Sequence, residues 1–460
     1  MNFLIFMDQN KIFRLSSYLG WVESIFNERY GHKFTLRINT YGNWELSLSG
    51  MERVITVSAD TSTFRRSDSN LPLTHWDASA EGWKSVLDSP LPAPGVTCLP
   101  FPLIKESALG MDLAYDVVGL TYWMLSRQEE VGRIDLDEHD RFPATSSHAF
   151  KHGYLERPIV DEWLNILSQV IQHTWPNIRV RQHKFAMKVS HDVDRPSLYA
   201  FNSWRSITRM MFGNILKRRD IRSFIQAPYI KFTTKDSLHK ADPFNTFQWL
   251  MDRSDDHGIK CTFNFLSDQT CLLHDADYIL NSVIMRNLIK DIHSRGHNIG
   301  LHPSYNSYLR PEQIKSELYR MQKLLDDLGI FQDTLGGRMH YLRWKQPITM
   351  KACADAGMSY DSTLGYADRP GFRCGTCYEY PAFDPVSQEQ LKLRIRPLVL
   401  MEGTIIESAY LGLGITETAE QKMRHIKRVC QLVGGNFEVL WHNSSLTNNR
   451  LAEMYVNLLK

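Results

Sequence analysis

Cysteine is scarce in this chain, with seven residues in 460. So small, scattered and odd-numbered a set cannot build a disulfide framework over this length, and a reduced, cytoplasmic setting is the economical expectation. No uninterrupted apolar run is long enough to cross a bilayer. The opening MNFLIFMDQNK has neither a basic leader nor a small-residue cleavage pattern, so Phe3 to Met7 is expected to form a buried first strand rather than a targeting signal. Neither sign of charge dominates. With 53 basic and 51 acidic residues and a formal charge of +2, the composition gives no general reason to expect nucleic acid or an anionic membrane as partner. Also missing are a GxSxG elbow, a phosphate loop, a dinucleotide fingerprint and any solenoid repeat, which removes the commonest competing chemistries.

What is present is a hydrophobic fraction of 43%, enough for a sizeable core and two domains. Residues 12 to 28 have near-helical spacing, and Tyr41 to Ala59 is strand-rich, so residues 1–180 are expected to form a smaller mixed α/β domain. Further helices are expected at Ala80 to Leu87, Leu113 to Glu130 and Pro158 to Trp175. The acidic stretch Asp135 to Ser147 reads as an ordered surface loop. The basic, aromatic passage over 201–224 suits either an anionic substrate or the solvated face of an amphipathic helix.

From about residue 181, strands and helices alternate. Strands are expected in the first half of the segment 184–196 and at 259–266, 297–302, 333–341, 360–363, 391–400 and 437–441. Helices fall between them, the clearest being Pro311 to Leu328, with proline in its first turn and a stripe of Ile314, Leu318, Met321, Leu325 and Leu328. That alternation implies a parallel sheet or barrel with helices outside and active-site residues where strands end.

The segment KFAMKVSHDVDRP, residues 184–196, changes from apolar to acidic within a few positions. If its strand runs through His191, then Asp192 and Asp194 share one face. Two carboxylates on one face repel unless a cation or a shared proton compensates them, although an acidic loop solvated at a strand end accounts for the same residues. His302 ends another strand and suits a transition metal. Asn306, four residues on, His340 and His297 are competing further ligands. Arg338 and Arg343 in GGRMHYLRW offer fixed forks of donors, and His442 at the end of NFEVLWH is a candidate general acid. Cys374 and Cys377 in RCGTC have the spacing of a redox pair or half a zinc site, with no second close pair elsewhere.

The ordered set SHDVD, HNIGLHPSYN, GGRMHYLRW, YDSTLGY and LWHN resembles the polysaccharide deacetylase (NodB-homology, carbohydrate esterase four) family over about residues 184–445. The resemblance extends through LSRQEE, DRFPA and PIVDEW to a divergent branch associated with bacterial surface-polysaccharide gene clusters. It implies a distorted (β/α)7 barrel over residues 181–460 and divalent-metal-dependent, zinc-type hydrolysis of an N-acetyl group on an amino sugar or polysaccharide precursor. By the same resemblance Asp192 is the base, Asp194 and His302 are metal ligands, Arg338 orients the base, His442 is the catalytic histidine and Asp361 helps organise the arginine. The chain departs from the family where a second metal histidine is usual and Asn306 stands instead. Either Asn306 is a weak ligand, or His340 replaces the missing imidazole, or the metal chemistry has been lost. The last case would leave a carbohydrate-binding or assembly protein; an esterase or amidase for another acyl group is the other alternative.

Overall fold

The computed structural model describes residues 9–213 and 221–460. The strand expected at Phe3 to Met7 and residues 214–220 of the basic passage lie outside these. The chain forms a mixed α/β architecture with a parallel sheet at its centre. Among the described residues no helix is long and apolar enough to cross a membrane.

Among the described residues the N-terminal region has seven strands: β1 (Phe34–Ile38), β2 (Trp44–Leu48), β3 (Val54–Val57), β4 (Leu73–Trp76), β5 (Leu91–Pro94), β6 (Ile104–Ser107) and β7 (Gly110–Leu113). Five form a sheet in the order β1-β2-β3-β7-β6, and β4 pairs with β5 separately. Phe34, Leu36, Trp44, Leu46, Ile55 and Val57 alternate with less buried positions, so one face of the sheet is apolar. Helices Gln9–Tyr30 and Ile159–Thr174 agree with the expected spans. The helix expected over 113–130 is shorter, Val117–Leu125, because Arg127 turns the chain at φ 53. Around residue 80 only a short 3-10 turn, Ala78–Glu81, forms before Gly82 ends it in the left-handed region.

The C-terminal region contributes β8 (Ala186–Val193), β9 (Thr262–Phe265), β10 (Asn298–Leu301), β11 (Tyr360–Asp361), β12 (Tyr380–Asp384), β13 (Glu389–Ile395), β14 (Leu400–Met401) and β15 (Asn436–Leu440). The parallel order is β10-β9-β8-β15-β14. At the other edge β11 runs parallel to β13, which pairs antiparallel with β12.

The strand expected over 333–341 is reduced to single bridges from Gly337 to Leu301 on one side and Asp361 on the other. A Cβ at Gly337 would lie 1.8 Å from the Leu301 carbonyl oxygen, so only glycine fits between the two neighbours. Upstream the side chain of Gln332 takes the place of a strand, accepting from Ile299 N at 3.0 Å and donating to Ile299 O at 2.7 Å. Downstream Tyr341 and Leu342 both have φ near 60° (60 and 56) and turn the chain away. The strand expected over 391–400 is likewise divided into β13 and β14. Between them Arg396 donates to Asp361 O and Leu398 to Leu364 O, then Val399 donates to Glu438 O, so the chain steps from the β11 edge to the β15 edge.

Helix Pro311–Leu328 matches its expected bounds, with proline in the first turn and Gly329 closing it at φ 66. Ile314, Leu318, Met321 and Leu325 are buried, each contributing on the order of 2 kcal/mol. One buried apolar cluster joins Trp21, Trp44, Trp123 and Trp163 to Phe263, Phe383 and Trp441, and so runs through both regions.

Candidate metal centre and active site

Strand β8 delivers the two acids to one side. His191 points the other way, its ring against Phe263 and its Nδ1 2.7 Å from Trp441 O, while Asp192 faces Asn264 and Arg338. Just past the strand, Asp194 Oδ1 lies 3.2 Å from His302 Nε2 and 3.6 Å from His340 Nε2. One ligand atom from each of Asp194, His302 and His340 lies within 4.8 Å of the others.

The other ring nitrogens fix what these atoms are. His302 Nδ1 is 2.5 Å from the carbonyl oxygen of Arg338, which can only accept, so Nδ1 carries the proton. His340 Nδ1 is 2.9 Å from Asp275 Oδ1, again an acceptor. In the neutral imidazoles both Nε2 atoms then present lone pairs, converging on a carboxylate oxygen that is buried and makes no hydrogen bond. Two imidazoles and one carboxylate, with each histidine held by an acceptor on its far side, suit a divalent cation. Burial works against a charge on His340, but Asp194 and Asp275 outweigh it and push its pKa up to about 9.

Asn306 is turned elsewhere. Its amide donates to Thr270 O at 3.0 Å and its carbonyl accepts from Arg343 at 3.3 Å. His297 is also remote, with Nδ1 accepting from Cys261 N. Of the competing third ligands, His340 is the one brought to Asp194 and His302.

Asp192 is buried beside this cluster. Its Oδ1 accepts from Asn264 at 2.7 Å and from Arg338 Nη1 at 3.1 Å, and its Oδ2 lies 3.8 Å from His302 Nε2. Burial opposes its charge, but Arg338, His302 and His442 together hold the carboxyl below the usual range. Asn264 reaches Asp192 across Gly300, where a Cβ would come 2.0 Å from the Asn264 oxygen. Arg338 is fully buried, its Nε donating to Ser362 O, its Nη1 to Ser190, and its Nη2 3.5 Å from Glu438.

On the opposite side His442 Nε2 is 3.7 Å from Asp194, and Nδ1 is 2.7 Å from Glu402. Glu402 also accepts from His442 N and Ser445. Burial lowers the affinity of His442 for its proton, but Glu402, with Asp194 and Asp192, outweighs it and pushes the pKa up to about 10. Asp361 does not hydrogen-bond Arg338. It holds Thr363 through N and Oγ1, and Thr363 Oγ1 accepts from Met339 N, so it fixes the segment after the arginine. Burial pushes the Asp361 carboxyl up to about 6.

A cavity of about 240 Å³ opens over these groups, walled by Arg141, Tyr341, Met401, Glu407 and Tyr410. Arg343, at the back of the turn, stacks on Tyr305 and Tyr308 and binds His139 O and Asp140 of the N-terminal region. Cys374 and Cys377 are buried and unpaired, the latter near Asp161. Sequence reasoning missed Asp275, Asn264, Glu402 and Arg141. Glu402 directly follows the apolar run LVLM, so the rule that placed candidates at strand ends would have found it. Asp275 sits in a loop with no pattern to mark it.

A family of unknown function, DUF7033, matches residues 5–176. No curated protein matches the chain. Among solved structures it is distantly similar to a protein described provisionally as a polysaccharide deacetylase from Mycobacterium smegmatis, at 16% identity and TM-score 0.39, covering 61% of this chain and 84% of that one. Puue allantoinase is similar at 9% and 0.37, covering 62% and 85%. A second provisional polysaccharide deacetylase, from Pseudomonas aeruginosa PAO1, is similar at 12% and 0.36, covering 60% and 84%.

Proposed function

We propose that the chain is a divalent-metal-dependent hydrolase that removes an N-acetyl group from an amino sugar or surface-polysaccharide precursor. The observation that carries this reading is the convergence of Asp194 Oδ1, His302 Nε2 and His340 Nε2 beside the buried, arginine-held Asp192. The fold proposed with it is a distorted (β/α)7 barrel, residues 181–460, preceded by an N-terminal domain, residues 1–180. The step of Arg396–Val399 between sheet edges supports it.

A cation held by Asp194, His302 and His340, zinc by the type of its donors, would supply Lewis-acid polarisation of the acyl carbonyl and acidify a water. Asp192, held ionised by Arg338, His302 and His442 and hydrogen-bonded by Asn264, accepts the proton of the attacking water. His442, held protonated by Glu402, donates to the departing nitrogen as the C–N bond breaks, giving acetate and a free amine. A strong proton hold suits an amine leaving group, which departs poorly unprotonated, better than an ester alkoxide-type group. Asp361 serves through Thr363 and Met339. The free cysteines support a reducing, cytoplasmic setting.

Metal analysis of the purified protein and acetate release from N-acetylated hexosamines and their oligomers test the reading. The expected result is one equivalent of metal, chelator-sensitive release, and loss of release with retained metal in Asp192→Asn. Glycan binding without metal or acetate would instead mark an assembly protein, and release from O-acetyl substrates alone an esterase.

A further inference from the structure

We infer that Arg141, from the N-terminal region, determines substrate choice by taking an anionic group, a carboxylate or a phosphate, on the acylated sugar. The inference rests on the hydrolase reading and names the substrate class of that same site.

Arg141 lies in a tight loop, Asp137–Arg141, closed by Asp137 N to Arg141 O at 2.9 Å and by Asp137 Oδ1 accepting from His139 N and Arg141 N. The guanidinium is fixed at two places. Its Nε donates to Asp137 at 2.7 Å, and its Nη1 donates at 2.9 Å to the carbonyl of Tyr341, in the left-handed turn that follows His340. Among the described residues its Nη2 makes no hydrogen bond, and the residue, only 5% exposed, lines the cavity that contains Asp192, Asp194 and His442. The Tyr410 ring faces it, with its centroid 5.8 Å from the guanidinium carbon.

A buried arginine that lines a polar cavity, with two of its donor positions already held and a third unused, is preorganised for an oxyanion, because little side-chain freedom is lost on binding. Asp137 offsets part of the charge while fixing the plane. Of the acids lining the cavity, Asp192 and Asp194 are paired with Arg338, His302 and His340, and Glu407 is exposed and has no ion pair among the described residues, so water screens it more than the buried arginine.

Neutral N-acetylglucosamine, N-acetylglucosamine 1-phosphate and N-acetylglucosaminuronate are compared by kcat/KM and by calorimetric binding, in wild type, Arg141→Lys and Arg141→Ala. Wild type should prefer at least one anionic probe by roughly tenfold or more. Arg141→Ala should erase that ratio, and Arg141→Lys should keep part of it. The favoured probe identifies carboxylate or phosphate. A purely structural arginine would lower all three substrates together and leave the ratio intact, which overturns the inference, as would a wild type with no anionic preference. If no probe is hydrolysed, the hydrolase reading fails, while the binding ratio still decides the role of Arg141.

Discussion

Asp275 Oδ1 lies 2.9 Å from His340 Nδ1 and turns that imidazole toward Asp194. The same carboxylate binds Thr270 N, Cys271 N and Tyr305 N, so it is itself rigidly held. Asp275→Asn should therefore weaken metal affinity about 10–100-fold without unfolding the chain. Asn306→Ala should leave it unchanged, because that carbonyl faces Arg343. Competition titrations with a chromogenic chelator measure both, and a large loss in Asn306→Ala would return the asparagine to the ligand set.

Glu402→Gln should move the alkaline limb of the rate profile. A general acid must carry its proton, and His442, with a pKa pushed up to about 10, loses it only as pH rises through that value. Without the carboxylate the limb should fall by at least roughly one pH unit while the acid limb stays in place. A limb that does not move would assign the proton donor elsewhere.

Folding stability should show a histidine contribution of definite sign. Burial depresses His148 and His191 to about 4. The His148 ring sits between Tyr154 OH and Leu71 O, while Glu129 accepts from its backbone N and not from the ring. Below about pH 6.5 the unfolded chain binds protons that the folded one refuses, so this stability is full above that pH and is lost as pH falls through 4. Asp116 and Asp361, raised by burial to about 7 and about 6, act in the opposite direction and offset part of it. The contribution is isolated by His148→Gln. Its deficit against wild type in urea melts should be largest at pH 7–8 and shrink toward pH 4.5, and a deficit that is constant with pH would refute the assignment.

The two regions should unfold together. Glu130 accepts from Arg373 at 2.9 and 2.7 Å and from Arg127 at 2.9 Å, all fully buried. Removing one partner leaves a charge without compensation, so Glu130→Gln should cost about 3–5 kcal/mol. A change in urea midpoint equivalent to less than about 1 kcal/mol would show the network to be dispensable.

Much of this was legible wherever chemistry and periodicity coincide. The helix Pro311–Leu328 announces both ends, and the abrupt HDVD acids point to one face. What periodicity cannot show is a partner distant in sequence. Gln332 substitutes for a strand with its side chain, β12 pairs with β13 across a turn that has no Asn-Gly signal, and the choice of His340 over Asn306 depends on a left-handed turn at Tyr341. That turn is anchored by Arg141, some 200 residues upstream.

Arg338 serves the site through two different parts of itself, since its carbonyl orients His302 and its guanidinium orients Asp192. Side-chain replacement can reach only the second. In a saturation scan, defects at position 338 should therefore fall on turnover, whereas defects in metal loading should appear next door at Gly337, where any side chain would push the shared backbone off its neighbours. Two adjacent codons would then carry separable phenotypes from one short stretch of chain.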